Sequence, residues 1–144
     1  MDNRVRAAIY EMTMRDGVPP TSVLVAAALG INARDVLQSI ERLAEAHMLV
    51  LQEDGRGEIL MAGPFSAIPT PFQVSVSGLS AYANCVWDSL GIPAMMHADA
   101  VIDTNCADCG SPAQLRVNGG KLSGSGFMHF VVPARLWWSH IVYT

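Results

Sequence analysis

The chain has 144 residues, 51% hydrophobic and 15% charged, which is enough apolar mass for a real core in one compact domain or two small ones and excludes a disordered chain. Its net charge of -4 and single lysine, Lys121, leave no clustered basic surface of the kind that nucleic acid or an anionic membrane requires. The longest apolar run, residues 23–29, is far short of the roughly 20 residues of a spanning helix, and no signal peptide is visible, so the sequence reads as a soluble, cytoplasmic protein.

Charge is distributed unevenly. Residues 1–63 carry six Arg and nine Asp or Glu, whereas residues 64–144 carry three basic and four acidic residues. The first part has the pattern of a surface-rich helical module and the second that of a core. Val5, Ile9 and Met12 recur at helical spacing, as do Val36, Ile40, Leu43 and His47. Between them, Pro19-Pro20-Thr21-Ser22 opens a short apolar helix that Gly30 closes. Asn32 suits the N-cap of a third helix, with Asp35 in its first turn, where the helix dipole favours an acid. Leu49-Val50-Leu51, the turn at residues 53–57 and Glu58-Ile59-Leu60-Met61 form a hairpin pattern. Three helices followed by a hairpin is a winged-helix-like order. The exposed residues expected on the third helix, Arg34, Asp35, Glu41, Arg42 and Glu45, sum to -1, which speaks for a structural or dimer-forming module over DNA recognition.

Residues 63–72 hold three prolines and are expected to link the two parts without a regular helix. Beyond them the pattern predicts a strand at 73–76, a helix over 79–90 ended by Gly91 and Pro93, and a strand around 98–103. Strands near 113–117 and 127–132 flank the turn residues Asn118-Gly119-Gly120, Pro133 stops the last strand, and residues 136–142 suit a short helix. The expected fold class is α+β. It comprises a winged-helix-like three-helix module at 1–62, a Pro-rich linker at 63–72, and a core domain at 73–144 built from a small mixed or antiparallel sheet with a packed helix.

Three cysteines in a reducing compartment are free thiols or metal ligands before they are a disulfide framework. On a helix over 79–90, Cys85 and Asp88 would share one face, with Ala81 and Tyr82 one turn before. That pairs a thiolate, the ligand soft metals prefer, with a carboxyl able to hold and deliver a proton. The plainer alternative makes Cys85 a small buried hydrophobe and Asp88 a surface or capping residue. Cys106-Ala107-Asp108-Cys109-Gly110 is a CxxC turn after a strand. It has no second CxxC, and His97, His129 and His140 are the remaining ligands for a zinc site; a tight turn between strands is the simpler account. His129 alternates with apolar neighbours and suits a core histidine or a site residue, and Trp137 and Trp138 suit the core or an interface.

Pro64-Phe65-Ser66 with Pro69-Thr70-Pro71, followed by Ala83-Asn84-Cys85-Val86-Trp87-Asp88-Ser89-Leu90-Gly91-Ile92-Pro93, resembles the alkylmercury (organomercurial) lyase family. The resemblance continues through residues 106–110, 113–117 and Val131-Val132-Pro133, and the family also has a helical N-terminal module. It implies protonolysis of a carbon–mercury bond, with Cys85 as the capturing thiolate and Asp88 as the proton mediator. An organomercurial is the implied substrate and Hg(II) the bound product, thiol donors remove that product, and no cofactor is required. The family's second cysteine aligns at Thr144 or one residue beyond, or near Ser125 on a looser alignment, and neither residue is cysteine. Three arrangements follow: a short relative with altered chemistry, a shortened true lyase, or a lyase in which Cys106 or Cys109 supplies the second thiolate. A non-catalytic soft-metal trap and a winged-helix metal-responsive regulator are the alternative functions. A shortened C-terminal edge would also favour a homodimer.

Overall fold

The structure is a computed structural model that describes residues 1–143, for Tyr143 the backbone alone. Three helices come first: α1 (Asp2–Asp16), α2 (Ser22–Leu29) and α3 (Ala33–Glu45). Val5, Ile9 and Met12 of α1 and Val36, Ile40 and Leu43 of α3 are buried in one cluster with Val25 of α2, the outcome their 3.6-residue periodicity requires. Two of the helix starts have a local cause. The Thr21 hydroxyl accepts the Leu24 N–H at the start of α2, and the Asn32 side chain accepts the Arg34 N–H at 2.7 Å at the start of α3. Glu58 reaches the first turn of α2, where its carboxylate accepts the Ser22 N–H at 3.1 Å and the Ser22 hydroxyl at 2.9 Å. Arg42 of α3 is engaged by the Asp2 carboxylate at 2.7 Å, and Ser39 donates to the same carboxylate.

Among the described residues eight strands form one sheet: β1 (Val50–Leu51), β2 (Ile59–Ala62), β3 (Phe65–Ser66), β4 (Gln73–Val76), β5 (Leu79–Ala83), β6 (Ala100–Asn105), β7 (Pro112–Asn118) and β8 (Lys121–Ser123). Their spatial order is β1-β2-β3-β5-β4-β6-β7-β8, and every neighbouring pair is antiparallel. The fold is therefore α+β. The expected hairpin is β1 and β2, and the proline-rich stretch contributes β3, whose Phe65 is fully buried and pairs with Ala83 of β5. The helix α4 (Val86–Met96) lies on the sheet with Ile92 buried among Phe65, Val74, Ala81 and Ile102. This second cluster follows the first along the chain, the division falling between Ala62 and Phe65. The C-terminus of α1 joins them: Gly17 turns at φ 77°, and a Cβ there would stand 2.8 Å from the Ser80 carbonyl oxygen of β5.

Three expected elements differ. Residues 79–83 are strand, so the helix begins at Val86 and runs through Gly91 and Pro93 to Met96. Gly91 serves close approach instead of termination, since a Cβ there would lie 3.2 Å from Pro64 Cβ. The last strand is Lys121–Ser123, and no strand forms at 127–132. Gly119 and Gly120 both have positive φ, which makes the turn tight enough to pair Asn118 directly with Lys121. The chain beyond leaves the sheet and forms two 3₁₀ turns, Ala134–Ser139 and Ile141–Tyr143, where a single short helix was expected. His47 falls just after α3, in the left-handed region at φ 59°. No single helix among the described residues is long and apolar enough to cross a membrane.

Candidate active site

The strand β5 ends at Ala83 and α4 begins at Val86, so Asn84 and Cys85 occupy the junction. Cys85 is the N-cap of α4, and its Sγ accepts the Asp88 N–H at 3.4 Å. This corrects the shared helix face expected from spacing. Cys85 and Asp88 are brought together by cap geometry, while Ala81 and Tyr82 lie on a strand. A capping residue is fixed relative to the third residue of its helix, so the thiol and the carboxyl have a defined separation without a long side chain to order.

Both groups are half-buried, and burial governs both. It pushes the Cys85 thiol above its ordinary value, against the Asp88 backbone N–H, which favours the thiolate; the Asp88 charge then adds to the upward push. It likewise pushes the Asp88 carboxyl up, opposed by the Asn84 amide and the Cys85 side chain. The Asn84 Nδ2 donates to Asp88 Oδ2 at 3.0 Å, and Asn84 Oδ1 is buried without a partner. The pair is thus a weakly acidic thiol beside a carboxyl that favours its protonated form more than an exposed aspartate does.

These residues face a cavity of about 750 Å³ whose other walls come from distant parts of the chain. From α1, Arg6 and Tyr10 reach it; the Tyr10 hydroxyl donates to the Gly63 carbonyl at 3.1 Å. Burial raises the Tyr10 phenol, Arg6 opposes this, and the Asp88 charge adds to the rise, which places Tyr10 in the field of the Asp88 carboxylate. Part of the remaining lining is aromatic. Trp138 stacks on His47 with ring centroids 4.2 Å apart, and Trp137 lies against Phe130 while its indole N–H donates to the Val132 carbonyl at 2.8 Å. An apolar wall of this kind limits water at the thiol and strengthens interactions between charges inside.

The other expected site residues lie elsewhere. Cys106 and Cys109 are exposed in the turn between β6 and β7 and do not line this cavity. Ser125 and His129 are exposed, so His129 is not the core residue its neighbours suggested. Trp137 and Trp138, expected in the core or an interface, wall the cavity. Thr144 lies outside the described residues. Among the described residues no three His, Cys, Asp or Glu side chains gather to hold a metal ion. Asn84, Tyr10, Arg6 and His47 were not singled out beforehand as site residues. Asn84 adjoins the motif, but nothing local marks Tyr10 and Arg6, which reach the site only through the docking of α1.

A family model described as alkylmercury lyase matches residues 65–144. Alkylmercury lyases from Bacillus cereus and Clostridium butyricum are each 28% identical over 104 residues, 68% of this chain and 47% of theirs. A crystal structure of the mercury-bound form of MerB2 superposes with a TM-score of 0.64 at 29% identity, covering 83% of this chain and 58% of that one. The chain spans about half the length of the curated relatives it matches.

Proposed function

Given that the chain belongs to the alkylmercury lyase family, we propose that the cavity at the start of α4 captures an organomercurial on Cys85 and protonolyses its carbon–mercury bond with a proton carried by Asp88. The observation that carries the reading is the cap itself, with Cys85 Sγ held against the backbone of Asp88 and the Asp88 carboxyl kept at the same mouth by Asn84.

The steps conserve charge and protons. An organomercury cation binds the Cys85 sulfur, forming the S–Hg bond and releasing the thiol proton. The nearest acceptor is the Asp88 carboxylate, which its half-buried setting makes a better proton acceptor than an exposed aspartate. The carbon–mercury bond then breaks with its electron pair going to carbon. Asp88 returns the proton to that carbon, so the products are a hydrocarbon and mercury(II) on the Cys85 sulfur. A donor held beside the leaving group traps the developing carbanion as it forms, which is the kind of help that acts only in the transition state. The aromatic wall from Phe130 to Trp138 receives the apolar organic group, and its large apolar face suits methyl, ethyl or aryl substituents. The reaction needs no cofactor: mercury is substrate and product, and a solution thiol removes it. The three helices with the β1–β2 hairpin act as a winged-helix-like structural module that delivers Tyr10 and Arg6 to the cavity.

The test is to incubate the reduced protein with methylmercury and excess thiol and to measure methane in the headspace. Methane above a Cys85→Ser control supports the proposal. Stable mercury adducts with no methane would show a non-catalytic trap instead.

A further inference from the structure

We propose that the turn carrying Cys106 and Cys109 is a second, independent soft-metal site, a two-thiolate clamp for a thiophilic cation such as Hg(II), at the rim of a polar groove separate from the Cys85 cavity. The strands β6 and β7 pair as far as Asn105 with Pro112, so the six residues between them form one closed loop. That loop is tied twice by backbone: the Cys106 N–H donates to the Ser111 carbonyl at 2.8 Å, and the Gly110 N–H donates to the Cys106 carbonyl at 2.8 Å. Gly110, at φ 71°, makes the reversal. The two cysteines are therefore held on a short, cross-tied loop, and both thiols are free and exposed.

Cys109 Sγ lies 3.1 Å from the Ser111 hydroxyl, and the Cys106 side chain is within hydrogen-bonding reach of it, so the two sulfurs sit on the same side of the loop. Ligand count selects the metal. No third His, Cys, Asp or Glu joins the pair among the described residues, so the four-ligand closure of structural zinc is not available there. Thiolates select soft cations, and a cation content with two ligands is satisfied by this pair alone. Asn105 and Pro112, which flank the loop, also line a groove of about 550 Å³ together with Thr70, Tyr82 and Thr104. Thr104 Oγ1 is buried without a partner in that lining.

Binding is a ligand exchange without electron transfer. Two S–H bonds and the two bonds from mercury to its outgoing chlorides break, two S–Hg bonds form, and two protons and two chloride ions pass to solvent. The inference does not require cleavage at Cys85, and its test is arranged accordingly. Reduced Cys85→Ser protein receives one equivalent of mercuric chloride, is challenged with excess monothiol, and is read by native mass spectrometry. The expected result is one retained mercury per chain, with a mass gain of one mercury less two protons. That adduct is lost when Cys106→Ser or Cys109→Ser is added. A second reading needs no change in the loop: mercury should protect both cysteines of the Cys85→Ser protein from alkylation. No retained mercury in Cys85→Ser, retention unaffected by the loop substitutions, or alkylation undiminished by mercury would each overturn the proposal.

Discussion

Replacing Cys85 by Ser separates what the residue does for the fold from what it does for mercury. Cys85 is the N-cap of α4, and its Sγ accepts the Asp88 N–H at 3.4 Å, a long contact to a weak acceptor. Serine is among the best N-caps, and a good cap contributes about 0.5–2 kcal/mol over a residue that does not cap. The sulfur already supplies part of that contribution, and the smaller hydroxyl gives up some contact at a half-buried position. The net expectation is a gain of about 0.5–1 kcal/mol, and in a domain of this size about 1 kcal/mol corresponds to roughly 2–4 °C in Tm. Urea unfolding, followed by circular dichroism in reducing buffer, should show a higher midpoint with an unchanged slope. Capture of organomercurial at this cavity should be abolished at the same time. A variant that unfolds at the same or lower urea concentration than the parent would refute the claim that a poor cap is tolerated here for the sake of a thiol.

Asp88→Asn should leave mercury bound at Cys85 while slowing hydrocarbon release by about 10²- to 10⁴-fold, the range expected for removing a positioned proton donor, measured by single-turnover headspace assay. Phe65→Ala, at a fully buried position pairing with the end of β5, should cost about 3–5 kcal/mol in urea unfolding. The rate of organomercurial capture should rise with pH through the neutral range, because burial lifts the Cys85 thiol and the thiolate is the attacking form. In Asp88→Asn the nearby negative charge is gone and the same rise should begin at lower pH; stopped-flow mixing across pH checks both.

The helical module was legible because long amphipathic segments with end signals leave little choice. Thr21, Asn32 and Gly30 cap α2 and α3 where the pattern placed them. The β5 to α4 junction was not. Ala81, Ala83 and Ser80 are weak strand formers, and β5 is strand because it closes a hairpin with β4 through Ser77 and Gly78, both at positive φ, and pairs on its other side with β3. Gly91 looked like a stop because its role depends on Pro64, a contact no local pattern contains, and Pro93 is carried inside the helix as a buried residue. The same holds at the site. Cys85 and Asp88 stand out by residue type and spacing, and they lie within the stretch that carries the family resemblance. Tyr10, Arg6 and the aromatic wall converge only once α1 and the C-terminal 3₁₀ turns are docked. His129 misled because alternation alone predicts a strand, whereas the tight turn at Gly119 and Gly120 had already used the edge of β7.

Proton transfer to carbon at the Cys85 cavity is tested most directly by a single turnover of methylmercury in D₂O with excess thiol, with the released gas analysed by mass spectrometry. The account predicts monodeuterated methane from the parent protein, strongly reduced from Asp88→Asn and absent from Cys85→Ser. Methane at equal levels from parent and Cys85→Ser, or no methane from either, would contradict it.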